Sequence, residues 1–312
     1  MVWLFLAAGA QFLNAVVAIL DKYIVSDEKA LPRPFVYAFY SCLVTAGWGA
    51  IYFVSLIPGM DSLGIPHFGN VTSPSIQVVG MSFLAAYTFF FALVSMYDAL
   101  KHADASDVMP VIGAVSAMSS FGMTYLFLDG TFNQNFIWGV ALLSAGTLLV
   151  STGRFKWKVA LSTIHSGIFF ALHYITMKGL FLETNFDNGF FWTRVSFVLF
   201  ALSLLLVPAY LEKIKEQTKN TTRKAGILVL HTKVLAGVAA FMLLKATDLG
   251  DVAVVQATDG LKFVFILFLG VLVGRFTPIS AGENANDART IIRKALYVAV
   301  IAIGFVILFV DV

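Results

Sequence analysis

Gln256, Asp259 and Lys262 follow one another at a spacing of three inside the apolar run 251–274. On a helix each such step turns by about 60°, so the three share one face. Asp259 and Lys262 can pair directly at i, i+3. Such a pair in an apolar run is either a self-neutralised packing element or a contact for a bound molecule or a proton. Asn14 stands at the centre of another apolar run, 3–25, with Gln11 before it and Asp21 seven residues on. An asparagine there bonds a neighbouring helix or faces a polar cavity. His165 and His173 lie about 80° apart on a helical wheel, too loose for one shared ligand. His173 is the more central, and it is either a hydrogen-bonded packing residue or a contact for substrate or proton. Tyr87, beside Phe89-Phe90-Phe91, is the aromatic candidate for a cavity wall in a chain with 30 Phe, most of which must pack. The candidate binding residues are therefore Asn14, Tyr87, His173, Gln256, Asp259 and Lys262, with Asp259 and His173 as candidate proton carriers. Other ionisable residues read more simply. Asp21 and Lys22 snorkel or cap near a run's end, and Lys233 either snorkels toward a basic cluster or lines a cavity, while His231 points nearly the opposite way. Trp192 and Arg194 suit an interfacial anchor, although an arginine there can also hold an anion.

The elements that carry these residues are unusually apolar. The chain of 312 residues is 59% hydrophobic and 12% charged, with mean hydropathy +0.86. Soluble domains carry roughly 25% charged residues, twice this share. The surface therefore suits lipid, and a soluble enzyme or a nucleic-acid binder is excluded. About 20 apolar residues cross roughly 30 Å of hydrocarbon as a helix. Ten runs qualify: 3–25, 35–57, 76–100, 107–128, 135–152, 158–182, 190–211, 225–246, 251–274 and 291–310. Turn formers or charges separate most of them, as at Pro32-Arg33-Pro34, Pro58-Gly59 and Asp129-Gly130. The runs are too long, and too little alternating, for barrel strands. No Lys or Arg precedes the first run and no cleavage pattern follows it, so it is expected to stay as a helix. The expected fold is thus an all-α integral membrane protein of ten transmembrane helices. An ionisable group at the centre of such a helix costs about 2.5–3.5 kcal/mol to insert. These residues therefore point to a protein interior or a water-filled path.

The sequence also repeats. Leu100-Lys101-His102-Ala103-Asp104-Ala105-Ser106-Asp107-Val108 matches Leu244-Lys245-Ala246-Thr247-Asp248-Leu249-Gly250-Asp251-Val252 at five of nine positions. Lys22 pairs with Lys178, Phe35 with Phe191, Gly130 with Gly274 and Gly146 with Gly304. The unit is five runs, 1–153 and 154–312, and an odd number of spans inverts the second copy. Sixteen of the 21 Lys and Arg fall at the odd-numbered connections, which places those connections in the cytoplasm and both termini outside.

Ten spans in two inverted halves resemble the EamA-type transporters of the drug/metabolite transporter superfamily. The closer echoes are Leu20-Asp21-Lys22-Tyr23, Tyr97-Asp98-Ala99-Leu100, and the turn Ala103 to Pro110 with its counterpart Lys245 to Val252. The resemblance implies a secondary transporter of small metabolites or amino acids in the cell membrane, often working outward by alternating access. Characterised relatives generally keep both termini in the cytoplasm, opposite to the charge count here. They also commonly carry an acidic residue after the fourth and ninth spans; Asp129 fills the first place, while Gly274-Arg275 stands at the second.

Two other classes compete with a transporter. An intramembrane transferase would need clustered carboxylates to hold metal and phosphate, and only Asp104/Asp107 and Asp248/Asp251 are available. The inverted repeat sends those two pairs to opposite faces. A passive channel would need a filter motif, and none is visible. Cys42 is the single cysteine, ligand spacings for a metal are missing, and no phosphate loop appears. No metal, cofactor or direct ATP drive is expected. The expected partners are a small-molecule substrate and the bilayer, and the small-residue stripe Gly270 to Gly274 packs against another helix or a second copy.

Overall fold

In a computed structural model of the chain, residues 2–57, 65–128, 134–150 and 156–273 are described, with a few isolated positions beyond. They form helices without a strand. The first is α1, Val2–Ser26; α2, Pro34–Gly47, continues through a 3₁₀ turn at Trp48–Ala50 into the short α3, Ile51–Val54. Next come α4, Ile76–His102, α5, Ala105–Phe127, and α6, Gln134–Val150. The second half holds α7, Trp157–Glu183, α8, Phe186–Leu204, α9, Pro208–Asn220, and α10, Arg223–Leu249, followed by α11, Val252–Ala257, and α12, Asp259–Val273. Six of these are long and apolar enough to cross a membrane: α1, the α2–α3 unit, α4, α5, α7 and α10. The protein is a multi-pass helical membrane protein. The tenth run, 291–310, lies almost wholly outside the described residues, as does Gly274.

Local chemistry sets the helix ends. Pro34 opens α2, where its missing N–H costs nothing. Ser75, Asn185, Thr222 and Asp251 each turn a side-chain oxygen onto a free N–H at the start of α4, α8, α10 and α11. Two expected spans come out differently. The run 190–211 is a straight helix only to Leu204; a turn follows, Pro208 starts α9, and α9 leaves at 98° to α8. The polar sequence Glu212 to Lys219 has no lipid-facing stripe to extend α8. The run 251–274 is interrupted at Thr258, whose Oγ1 donates to the Val255 carbonyl at 2.6 Å. Such back-bonding competes with the backbone ladder and bends helices.

The long helices pack crosswise between the halves. α4 lies along α7, α1 along α10, and α5 against α7. Without a hydrophobic drive in lipid, helices join through small residues and polar stitches. Both occur here. Gly167 of α7 sits so close to α5 that a Cβ would lie 2.9 Å from the Ile112 carbonyl oxygen. The α4–α7 seam is stitched by Ser162 to Asp98 at 2.8 Å, His165 to Ser95 at 2.7 Å, and Ser166 to the Ala92 carbonyl at 2.9 Å.

Candidate functional site

The crossing helices leave a cavity of about 120 Å³ between them. Eight elements line it: α1, α2, α4, α5, α7, α10, α11 and α12. Most of the wall is apolar, from Val17 and Leu93 to Ile112 and Phe170, and the polar groups gather in two clusters.

The first cluster is carried by the break at Thr258. Lys262 Nζ donates to both carboxylate oxygens of Asp259 at 2.8 Å each. Gln256 is 4% exposed; its Oε1 takes a long bond from Ser116 Oγ at 3.3 Å, and its Nε2 has no partner. Gly113 of α5 makes room for the pair, since a Cβ there would lie 2.3 Å from Asp259 Oδ2. Asn14 lines the same cavity from α1.

The second cluster joins α1, α2, α4 and α10. Lys233 is 2% exposed and pairs with Asp21, also 2% exposed, at 2.7 Å. Lys233 Nζ also donates to Tyr97 Oη at 2.8 Å and lies 4.2 Å from the Tyr37 ring centroid. Tyr37 Oη donates to Asp21 Oδ1. Ser41 Oγ donates to the Tyr37 carbonyl at 2.8 Å, so at 3.1 Å from Tyr97 it accepts that phenol's proton. A buried ion pair needs such further hydrogen bonds to offset its desolvation. The geometry corrects two expectations. Lys233 does not snorkel, and Asp21 is neither a cap nor a surface group.

Of the candidate residues, the fold therefore brings Asn14, Gln256, Asp259 and Lys262 to one cavity and leaves two aside. His173 does not line it. It is buried, its Nδ1 sits 2.9 Å from the Ala85 carbonyl, and its ring packs on Phe89 and Phe197. Because a carbonyl only accepts, Nδ1 carries the proton there. Tyr87 is 44% exposed among Phe91, Phe169 and Phe200, away from the cavity. Asp21, Tyr37, Ser41, Tyr97 and Gly113 were not among the candidates. One signal was available: a mid-run lysine in lipid needs a carboxylate partner, and Asp21, inside an apolar run, is one carboxylate that could meet Lys233. Arg194 is not an interfacial anchor, being 4% exposed within α8, whereas Trp192 does sit near a surface, donating to the Thr72 carbonyl at 2.9 Å.

Two lysines outside the cavity act alike. Lys22 Nζ donates to the carbonyls of Leu100 and Ala103 at the end of α4, at 2.7 and 2.9 Å. Lys178 Nζ donates to those of Thr247, Asp248 and Gly250 at the end of α10, at 2.9–3.0 Å. Asp251 caps α11, Asp248 pairs with Lys245 at 3.0 Å, and among the described residues no three His, Cys, Asp or Glu stand where they could share a metal ion.

No family model and no curated protein matches the chain. Its fold does match known structures. One, described as "Crystal structure of protein", superposes with a TM-score of 0.60 over 97% of this chain and 96% of that one, at 16% identity. At that identity the likeness shows the fold alone.

Proposed function

We propose that the chain is a secondary transporter of the EamA type, built of ten spans in two inverted repeats, 1–153 and 154–312. In this reading a small metabolite binds midway through the membrane and is released by alternating access. The observation that carries the proposal is the cavity, walled by helices of both halves and holding an internal ion pair at each of its polar clusters. Inverted-repeat carriers place their sites there, often at an interrupted helix, and the break at Thr258 lies between Gln256 and Asp259. Two further facts support the repeat. The crosswise pairs α1 with α10 and α7 with α4 exchange under it, and the equivalent lysines Lys22 and Lys178 grip equivalent helix ends. Coupling runs to a proton gradient or to exchange, with Asp259 in contact with the cavity and His173 one layer behind its Phe89 wall.

The test is counterflow in proteoliposomes loaded with unlabelled solute. A carrier accumulates labelled solute transiently against its gradient, whereas a channel only equilibrates it. Lys262→Ala is expected to insert normally and to lose counterflow by at least tenfold. Wild-type counterflow by that variant would remove the Asp259–Lys262 pair from the site.

A further inference from the structure

Arg194 is a buried charge that no ion pair among the described residues neutralises. Nη1 makes one long bond, 3.4 Å to the Thr45 carbonyl, and Nε–H has no acceptor. The rings of Phe190 and Phe197 lie 4.5 and 4.7 Å from the guanidinium carbon. The cavity's own cations differ, since Lys233 holds Asp21 and Lys262 holds Asp259. Among the described residues, three buried cations thus share two carboxylates. Arg194 lies eight residues into α8, about 12 Å along it, well away from either end of that helix. An uncompensated buried charge is strongly unfavourable unless something completes it.

The guanidinium stands one layer behind the cavity wall. Thr45, which takes its single bond, lines the cavity from α2. Phe89, which also lines it, packs at 5.2 Å on Phe197, the ring that covers Arg194. Thr45 and the Phe89–Phe197 ring pair thus form the layer between Arg194 and the cavity, and side-chain movement in that layer is what a guest would require. Guanidinium groups take carboxylates through two parallel N–H bonds, and the idle Nε–H beside an Nη–H is one such edge.

We propose that the cavity takes a small organic monoanion, and that Arg194 is the residue that binds its carboxylate. This rests on the transporter reading for movement, but not for binding. Charge balance selects an anion: a cationic guest would have to break an existing pair, while an anion completes the one that is missing. The size fits as well. At about 10–15 Å³ of such space per water, the cavity holds on the order of ten small groups, enough for a short aliphatic or single-ring acid. The apolar wall receives its body.

The experiment is thermal unfolding of the full chain in detergent with hexanoate and benzoate, against hexanamide and hexylamine as uncharged and cationic isosteres. Wild type is expected to be stabilised by the acids only. Arg194→Met is expected to melt at or above the wild-type temperature without ligand and to bind the acids at least tenfold more weakly. Arg194→Lys is expected to keep part of the response. A merely structural arginine would instead lower the melting temperature when replaced by Met and leave the acid response intact. Equal stabilisation by amide or amine, or an unchanged acid response in Arg194→Met, overturns the proposal. Counterflow with the same solutes separates the two readings: acid binding without counterflow leaves the Arg194 site standing and removes the carrier, and counterflow of hexylamine alone does the reverse.

Discussion

Gly113 has no side chain, yet it decides where Asp259 sits. A methyl group there would overlap the carboxylate, so Gly113→Ala must push Asp259 away from α5 and disturb its bond to Lys262. Loss of ligand response by at least tenfold is expected, read by the same melting assay, with an intact fold. Gly80→Ala and Gly122→Ala are the controls, because nothing lies within 4 Å of a Cβ at either position. At Lys233 the expected cost is in stability. Removing one member of a buried ion pair typically costs about 3–5 kcal/mol, while replacing both with apolar residues of similar size is often neutral. Lys233→Met is expected to unfold at markedly lower denaturant than wild type, and adding Asp21→Leu to recover most of the loss. An additive double variant would show that the two residues are not coupled. The two clusters differ in how far the sequence revealed them. Lys262 and Asp259 are partners on one turn, so spacing alone finds them. Asp21 and Lys233 are 212 positions apart and meet only because α1 packs along α10. Asp21 was further disguised by Lys22. Adjacent residues on a helix point about 100° apart, so one faces the cavity and the other grips α4, although in the sequence they look like a single polar end.

Run length was enough to place the long helices, and the six long and apolar enough to span agree with the expected runs to within a few residues. Local chemistry overrode the pattern in two places. Thr258 looks like one more residue of a continuous run until its hydroxyl is seen bonded to Val255. Hydropathy likewise carries the seventh run past Leu204, because Leu204 to Ala209 stays apolar after the helix has turned. The turned helix α9 is tied to the segment before α2 by Arg33 and Glu216, 2.6 Å apart. The arginine's hydrogen bond holds the Glu216 carboxyl below the ordinary glutamate range, and the carboxylate in turn raises Arg33. A depressed carboxyl contributes at pH above its unfolded value and fails as pH falls through the lowered one. Hydrogen exchange in Pro208–Asn220, taken relative to the intrinsic amide rate at each pH, is therefore expected to rise only on that acid limb. In Glu216→Gln it should already be raised at neutral pH and respond little to further acid.

Across the whole molecule, the charge count predicts that both termini face away from the cytoplasm, and the single buried cysteine supplies a clean way to check it. Cys42 is the single cysteine and is fully buried. A cysteine introduced at Val2, which is 68% exposed, would report alone in an otherwise native chain. Labelling of Val2→Cys by an impermeant maleimide in intact cells is expected; protection until the cells are opened would reverse the orientation. What no reading of runs and charges could supply is the crosswise packing. α1 lies on α10 and α7 on α4, and those pairings depend on surfaces such as Gly9 against Met242 and Gly179 against Met81. A lone glycine in a hydrophobic run does not announce its neighbour.

The two lysine grips have a consequence for speed. Lys22 fastens α1 to the end of α4, and Lys178 fastens α7 to the end of α10. In an inverted arrangement these fastenings sit at opposite faces of the bilayer, and both are closed here. Under the proposed carrier cycle the two fastenings would open in turn, and each would then act as a timer for one face. Weakening one would lengthen the dwell on its own side, leaving occupancy asymmetric while the binding chemistry stayed the same. Lys22→Gln and Lys178→Gln would then slow the cycle at different half-steps, and a double variant, loose at both faces, would leak.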